Sequence, residues 1–186
     1  MKQRVLFALL FCCSTLIQAK DTVLKLYRPY GEATGQVMPI VKRTVAGYCL
    51  SQSRIIVRED AWRCEAEGKT YDPCFVKAGT NRKEALCPQS PWVADSVQIN
   101  VSAPLNNAQN ETLDMSRTYP WGIELSNGER CLAIYSNEVY DEMPVRYRCT
   151  NQNLLLGYLQ RCKTTWSMLE KTPEGVVTSE LAKAWF

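Results

Sequence analysis

The stretch WGIELSNGERCLAIY, residues 121–135, predicts a β-hairpin more clearly than any other part of the sequence. Asn127-Gly128 divides it into two largely apolar arms, residues 121–125 and 130–135. The dipeptide Asn-Gly readily adopts positive φ at both central positions of a type I′ turn, which joins two antiparallel strands. We therefore expect antiparallel β structure here.

Short strands with turn signals between them are predicted along most of the remaining sequence. Residues 96–102 and 145–149 alternate apolar and polar side chains, as half-buried strands do. A second hairpin is predicted over residues 62–75, with its turn near Glu67-Gly68-Lys69. Less regular strands are predicted at residues 20–27, 54–58, 154–159 and 164–169. Loops are predicted at residues 76–92 and 103–118, and a short terminal helix, capped by Thr178 or Ser179, at residues 179–186.

The expected fold class is mainly β. We predict a single disulfide-braced domain of short antiparallel strands over residues 20–186, arranged as a sandwich, an open sheet or a small barrel, with the short C-terminal helix packed on it. Without its first 19 residues the chain keeps 167 of its 186 residues. That length suits one domain with a hydrophobic core, so disulfides would supplement the packing and not replace it.

Residues 1–19 are predicted to be a secretory signal peptide that is removed. Two basic residues precede an apolar run, which ends at the small residue Ala19. A membrane-spanning helix needs about 20 apolar residues, and because this run is shorter we expect no integral membrane span. A lipid anchor on Cys12 or Cys13 is disfavoured, since neither cysteine follows a small residue. We therefore expect a secreted or periplasmic protein.

The charge of the chain gives no sign of a nucleic-acid partner. The full sequence carries 22 basic and 19 acidic residues, and removal of residues 1–19 would leave 20 basic against 19 acidic ones. Short basic clusters at residues 42–43, 82–83 and 146–148 are scattered along the chain. Solvated surface is the simplest interpretation of these clusters, and no nucleic-acid partner is expected.

Nine cysteines and no histidine limit the chemistry of the chain. Without histidine the usual general base and the commonest zinc ligand are missing. No close pair of cysteines follows residue 19 and no phosphate-binding or EF-hand motif occurs, so we expect neither a metal nor a cofactor. The seven cysteines after residue 19 are interpreted as structural: Cys49, Cys64, Cys74, Cys87, Cys131, Cys149 and Cys162.

Six paired cysteines allow 15 connectivities, and the sequence does not choose among them. The pair Cys131–Cys149 is favoured because both residues lie on neighbouring strands of one meander. Cys64–Cys74 across the predicted hairpin comes next. That scheme leaves Cys49–Cys87 as the third pair, and a nearest-neighbour scheme, Cys49–Cys64 with Cys74–Cys87, stays open beside it.

Cys162 is left without a partner in either scheme. A catalytic nucleophile is the sharper hypothesis for this residue. No histidine is present to activate the thiol, however, and a buried cysteine in apolar surroundings is inert. We therefore predict that Cys162 is a buried free thiol.

Three carboxylates are the candidates for catalysis in a chain without histidine: Asp60, Asp72 and Glu124. Each stands near an aromatic residue, as carboxylates in carbohydrate sites often do, and a pair of them could hydrolyse a polysaccharide. The alternative is a structural role, because aspartates commonly cap turns beside core aromatic residues. It is strongest for Asp72, which directly precedes Pro73. We predict that all three carboxylates hold the fold.

Trp92 is the candidate for contact with a ligand or partner. The chain has five tryptophans, a residue type that is enriched in binding sites and also anchors cores. Trp62 and Trp121 lie in predicted strands, which favours a core position for them. Trp92 follows Pro91 in a predicted loop, where its ring would be available for binding.

Several short blocks of the sequence resemble a family of uncharacterised secreted, disulfide-bonded bacterial proteins and lipoproteins, found in actinobacteria and Legionella-like bacteria. The blocks are GYC at 47–49, DAWRC at 60–64, DPCF at 72–75, CP at 87–88 with PW at 91–92, PWGIEL at 120–125 with NG at 127–128, YRC at 147–149 and TW at 165–166. The resemblance implies an extracytoplasmic location and six paired cysteines, with Cys162 outside the pattern. A type II secretion substrate is one identity that it suggests.

Three functions follow as hypotheses. The first is a secreted or periplasmic binding protein without catalytic activity, whose partner is a protein or a glycan. The second is a histidine-free polysaccharide hydrolase that uses an Asp/Glu pair. The third is a periplasmic immunity or inhibitor protein that blocks an envelope-directed enzyme.

Overall fold

The computed structural model describes residues 20–31, 37–79 and 82–186, so the predicted signal peptide lies outside the described residues. Within them the chain forms thirteen β-strands and a short 3-10 turn at Asn107–Gln109, without an α-helix. The mainly β fold is thus confirmed, and its strands build small barrels. The strands are β1 (Val23–Lys25), β2 (Ile40–Gln52), β3 (Ala61–Ala66), β4 (Lys69–Phe75), β5 (Arg82–Pro88), β6 (Asp95–Leu105), β7 (Gly122–Leu125), β8 (Arg130–Ala133), β9 (Val139–Tyr140), β10 (Met143–Cys149), β11 (Leu154–Gln160), β12 (Ser167–Thr172) and β13 (Gly175–Trp185).

The first barrel is a closed meander of five strands, β2 to β6. Each strand pairs antiparallel with the next, and a parallel pairing of β2 with β6 closes the ring. Buried apolar side chains fill its interior, among them Trp62, Val76 and Ile99. Gly47 lets β2 approach this interior closely, since a Cβ there would lie 2.4 Å from the carbonyl oxygen of Glu65. A larger residue at this position would push β2 away from β3.

The second barrel contains β7, β8, β10, β11, β12 and β13. These strands pair in that order, and β13 also pairs with β7, which closes the ring. The 11 residues of β13 make both pairings possible, because its first half lies along β12 and residues 181–185 lie along β7. The strand β1 adds in parallel to the same end of β13. Buried apolar side chains, including Ile123, Tyr147 and Leu155, fill the interior.

A third cluster of buried apolar side chains joins the two barrels. The rings of Tyr27, Phe75 and Trp121 contact one another. The ring centroids are 5.3 Å apart for Tyr27 and Phe75, 5.2 Å for Tyr27 and Trp121, and 5.7 Å for Phe75 and Trp121. Phe75 belongs to the first barrel, whereas Trp121 directly precedes the second. Trp185 and Phe186, at the end of the chain described here, belong to the same cluster. Burial of each large side chain contributes about 1.5–3 kcal/mol, so the junction is a hydrophobic core of its own.

Arg58 is the polar centre of this junction. Its side chain is only 7% exposed, and its guanidinium lies 5.0 Å from the ring centroid of Phe75. Nη1 donates to the carbonyl oxygens of Tyr27 (2.5 Å) and Phe186 (3.1 Å). Nε and Nη2 contact the carboxylate of Asp60 at 2.6 and 2.8 Å. One side chain therefore links the segment after β1, the residue after β13 and the first barrel.

Residues 54–58 do not form the predicted strand. The hydroxyl oxygen of Ser53 accepts hydrogen bonds from the backbone N–H groups of Ile55 and Ile56, both at 3.1 Å, and the chain bends there. Ile56 is buried in the cluster between the barrels. Ile55 and Ile56 of this run therefore pack in the junction and not in a sheet, whereas Val57 is exposed.

Residues 179–186 do not form the predicted helix. Thr178 and Ser179, the expected capping residues, lie inside β13 opposite Leu169 and Met168 of β12. Pairing with distant strands overrides the weak local helix signal. The loop prediction for residues 76–92 was also wrong, since β5 lies within it, while residues 103–118 hold only the end of β6 and the 3-10 turn.

Disulfide bonding is confirmed, with a connectivity that follows the nearest-neighbour scheme. The bonds join Cys49 to Cys64, Cys74 to Cys87, and Cys131 to Cys149. The pairing of Cys64 with Cys74 was wrong because the register of β3 with β4 places Cys74 opposite Trp62 and Cys64 opposite Tyr71, while Cys64 faces Cys49 of β2. Cys162 is unpaired and exposed, whereas we expected a buried thiol.

The disulfide assignment predicts a specific peptide map. Protein without residues 1–19, digested under non-reducing conditions, should give the three local pairs and one alkylated thiol at Cys162. Each bond spans 13 to 18 residues, and such a bond contributes about 2–4 kcal/mol. Reduction should therefore lower the melting temperature by many degrees. A peptide linking Cys64 to Cys74 would contradict the assignment.

The role of Arg58 predicts a large loss of stability in Arg58→Met. The substitution removes the donor of the hydrogen bonds to Tyr27, Phe186 and Asp60, and it leaves the carboxylate of Asp60 without its cation. The free energy of unfolding should therefore fall by about 3–5 kcal/mol. Arg63→Met is the matched control, because Arg63 pairs with Glu65 at 3.2 Å in a more exposed position and should cost about 1 kcal/mol or less. Urea unfolding measures both. Equal losses in the two variants would show that the junction does not depend on Arg58.

Candidate ligand-binding cleft

The carboxylate of Asp60 is the counter-ion of Arg58, immediately before β3. Burial raises its pKa, the charge and hydrogen bond of Arg58 lower it, and the net pKa lies above the usual range. Its neighbour Glu59 shares a cavity of about 410 Å³ with it. The Glu59 carboxylate accepts a hydrogen bond from the backbone N–H of Leu113 at 3.0 Å. Both carboxylates thus hold segments of the chain in place.

The carboxylate of Asp72 holds the bend that follows β2. Oδ1 accepts a hydrogen bond from the hydroxyl of Ser53, and Oδ2 accepts one from the backbone N–H of Arg54 at 3.0 Å. Burial raises the pKa of Asp72, and these hydrogen bonds lower it only in part. The same bend carries Arg54 and Ile55 toward the second barrel.

The carboxylate of Glu124 joins three strands of the second barrel. It lies between Lys183 of β13, at 2.6 Å, and Arg130 of β8, at 3.2 Å, and its side chain is 13% exposed. Burial raises the pKa of Glu124, but the two cations outweigh burial and the net pKa is lowered. The three carboxylates that the sequence singled out therefore make their contacts in three different parts of the fold.

Trp92 packs its ring against the second barrel from the loop between β5 and β6. The Trp92 ring meets the Trp185 ring edge-on, with the two ring centroids 5.4 Å apart. The guanidinium of Arg130 lies 5.6 Å from the centroid of the Trp92 ring. Gly122 makes this approach possible, because a Cβ there would lie 2.7 Å from Pro91 and 2.9 Å from Trp92. Part of the ring remains accessible, since Trp92 is only half-buried.

The accessible side of Trp92 lines a surface cavity of about 420 Å³. The opposite wall belongs to β8 and β10, which contribute Arg130, Leu132 and Arg148. Val93, beside Trp92 in the loop, lies at the same cavity and is exposed. The cavity therefore has one wall from each barrel.

A second cavity, of about 200 Å³, adjoins the first, and Ile134 lines both. Three arginines from three separate segments surround it: Arg54 from the bend after β2, Arg117 from the segment before β7, and Arg146 from β10. We call the two cavities together the inter-barrel cleft. Its walls combine aromatic rings with guanidinium groups.

Strand alternation explains how these side chains reach one surface. In β10 the side chain of Tyr147 points into the second barrel, while Arg146 and Arg148 on either side point out of it. The register places Arg148 opposite Leu132 of β8. This outer face of β8 and β10 then meets the loops of the first barrel, which turns an exposed sheet face into a cleft.

The arginines of the cleft were missed by the sequence analysis, which interpreted residues 146–148 as solvated surface. Arg148 is half exposed and lies 3.4 Å from Glu138. Arg146, however, is half-buried with its guanidinium 5.2 Å from the ring of Tyr119. The alternation of residues 145–149 could have placed both arginines on one face, but only the packing of the two barrels shows what that face meets.

Comparisons with known proteins return no match: no family model, no curated protein and no solved structure matches the chain. In the part of the chain that the structure describes, no helix is long and apolar enough to cross a membrane. The same residues contain no group of three or more acidic or cysteine side chains placed to hold a metal ion.

The lowered pKa of Glu124 predicts a pH-dependent contribution to stability. The folded-state pKa lies below that of the unfolded chain, so the stabilisation is present above the unfolded pKa and is lost as the pH falls through the folded pKa. Glu124→Gln should cost about 1 kcal/mol at neutral pH, because its two cationic partners are partly exposed. At about pH 3 the cost should shrink.

Glu138→Gln is the control for this measurement. Glu138 pairs with Arg148 at 3.4 Å with both side chains about half exposed, so its removal should change stability by about 0.5 kcal/mol or less. Urea unfolding of the three proteins at both pH values gives the comparison. A Glu124→Gln cost that is independent of pH would contradict the ion-pair assignment.

Proposed function

We propose that this is a secreted or periplasmic bacterial protein that binds a protein or glycan partner through the inter-barrel cleft and catalyses no reaction. The observation that carries the proposal is the composition of the cleft, in which a half-buried tryptophan faces arginines across an apolar floor. Tryptophan and arginine are the residues that most often dominate binding energy at interfaces, and they do so at well-packed positions.

The frame around the cleft supports binding by a preformed surface. Trp92 is braced by Trp185, and Arg130 is held by Glu124. Disulfides anchor both walls, since Cys74–Cys87 fixes the strand before the Trp92 loop and Cys131–Cys149 ties β8 to β10. Side chains that are already ordered lose little freedom when a partner binds.

The location rests on the disulfides together with the predicted signal peptide. Disulfide bonds persist in oxidising compartments, and a small β domain with three of them is consistent with a secreted or periplasmic protein. The resemblance to secreted bacterial proteins points to the same compartment. An envelope-directed enzyme, inhibited through the cleft, would be one partner of this kind.

The contacts of the carboxylates favour this proposal over the hydrolase. A glycosidase places two carboxyl groups about 5–9 Å apart on either side of an open substrate site. Asp72 instead holds the bend after β2, and Glu124 holds strands of the other barrel through two cations. Asp60 neutralises a buried arginine. Each group already has a structural task.

The test uses a substitution at the rim of the cleft that removes no core contact. Val93→Asp adds a charge beside Trp92 at an exposed position, whereas Tyr158→Ala, whose side chain is 71% exposed and lines neither cavity of the cleft, is the matched control. Both variants should melt like the wild type. Each protein is immobilised and exposed to envelope extract, culture medium and a glycan array.

The proposal predicts that wild type and Tyr158→Ala retain the same protein or glycan and that Val93→Asp loses it. Retention by Val93→Asp would place the partner elsewhere. Loss of a glycan-hydrolysing activity in Asp60→Asn, Asp72→Asn or Glu124→Gln, with near-wild-type melting, would replace the binding proposal by the hydrolase.

A further inference from the structure

The smaller cavity of the cleft concentrates positive charge without a matching negative charge. Arg54, Arg117 and Arg146 line it, and none of its lining residues is acidic. Among the described residues, none of the three arginines forms an ion pair within 4.0 Å. Three guanidinium groups around one cavity repel one another, so an anion bound between them would be stabilised.

Arg146 supplies the most specific observation. Its Nε is buried and has no hydrogen-bond partner among the described residues. The guanidinium is instead held by the ring of Tyr119, at 5.2 Å from the centroid. A buried donor without an acceptor is unusual, and because Arg146 also lines the cavity, an anion bound there would lie beside this side chain.

The other two arginines are presented by segments that are themselves fixed. Arg54 follows the bend held by Asp72, and its guanidinium lies 5.0 Å from the ring of Tyr135. The segment that carries Arg117 is held by Arg161, which donates hydrogen bonds to the carbonyl oxygens of Ser116 and Thr118. The backbone segments that carry these two arginines are therefore held in place.

One nearby carboxylate is already engaged. Asp114 lies at a neighbouring cavity that Arg117 also lines. Its carboxylate accepts hydrogen bonds from the hydroxyl of Ser116 at 2.6 Å and from the backbone N–H of Ser116 at 2.9 Å. These hydrogen bonds, helped by the charges of Arg117 and Arg161, lower the pKa of Asp114, but Asp114 forms no ion pair with Arg117 within 4.0 Å and does not line the smaller cavity.

The size of the cavity limits the ligand. About 200 Å³ is smaller than the roughly 300–1,000 Å³ of sites that enclose a whole small molecule. It suits a single charged group whose remaining structure continues past Ile134 toward Trp92. Arginine forks donate two parallel hydrogen bonds to the oxygens of phosphate and similar anions, and three arginines from three separate segments can surround a tetrahedral group.

We propose that Arg54, Arg117 and Arg146 form a site for one tetrahedral oxyanion, a phosphate or sulfate group of the molecule that occupies the inter-barrel cleft. The identification of that molecule rests on the proposed binding function. Binding of the free oxyanion does not, and it is therefore the quantity to measure.

The experiment is a titration with inorganic phosphate, and separately with sulfate, followed by the NMR signals of the arginine Nε–H groups. Sodium chloride and sodium acetate at equal ionic strength are the reference titrations. The signal of Arg146 should shift and saturate with phosphate or sulfate, and whichever of the two binds more tightly identifies the group. Chloride or acetate that binds as tightly would overturn the tetrahedral site.

Variants separate this site from general attraction to a basic surface. Arg146→Gln and Arg54→Gln should each weaken phosphate or sulfate binding about tenfold or more, the loss expected for a charged hydrogen bond. Arg43→Gln removes an exposed arginine of β2 that lines neither cavity of the cleft, and it should leave the affinity unchanged within about twofold. Equal weakening by Arg43→Gln would overturn the proposal.

The outcome is distinct from that of the partner experiment. Arg54 is exposed, so Arg54→Gln should fold even if Arg146→Gln does not. Saturable phosphate binding with unchanged partner capture by Val93→Asp would uphold the oxyanion site and refute the proposed function. Capture that depends on Val93, without any phosphate or sulfate binding, would uphold the proposed function and refute the oxyanion site.

Discussion

The buried guanidinium of Arg58 is the interaction on which the arrangement of the two barrels depends. Its hydrogen bonds end on carbonyl oxygens that lie far apart in the chain, those of Tyr27 and Phe186, and on the carboxylate of Asp60. Burial of a charge is costly unless partners satisfy it. The two chain segments must therefore come together beside β3 whenever this charge is buried, and the aromatic cluster closes over it.

The cleft follows from that junction. Arg58 and the aromatic cluster hold the barrels together, and beside this cluster the loop at Pro91 and Trp92 meets Gly122. The outer face of β8 and β10, which would be open surface in an isolated barrel, then has a wall opposite it. A structural charge at the centre of the molecule thus determines where accessible charges converge at its surface.

Local patterns were sufficient for much of the strand content. The hairpin predicted around Asn127-Gly128 and the alternating run at residues 145–149 are β7, β8 and β10, because strand signals act over a few residues. The turn itself is not the predicted type I′, since only Gly128 of the two turn residues has a positive φ. The closure of the second barrel was not predictable in this way, since β13 needs distant partners along its whole length. Disulfide pairing likewise depended on which residues of neighbouring strands lie opposite one another, as Cys49 and Cys64 do, and no local pattern indicates this.

The carboxylates stand out in the sequence, whereas the arginines of the cleft are recognised only in the folded structure. An acidic residue beside an aromatic one stands out in a sequence, yet Asp72 and Glu124 owe their surroundings to fold contacts. The arginines of the cleft carry no motif, because they come from segments that meet only after both barrels have formed. A binding surface that forms between two folded units is therefore not indicated by a local sequence pattern.

Two arginines of this protein show how structure and function can be told apart. Arg58 is buried with two carbonyl oxygens and a carboxylate around it, so its charge is paired within the fold. Arg146 stacks on an aromatic ring as Arg58 does, but its buried Nε–H has no acceptor in the described chain, and the charges across its cavity have the same sign. The first environment stabilises the fold. The second environment presents a donor and like charges that a bound anion would complement.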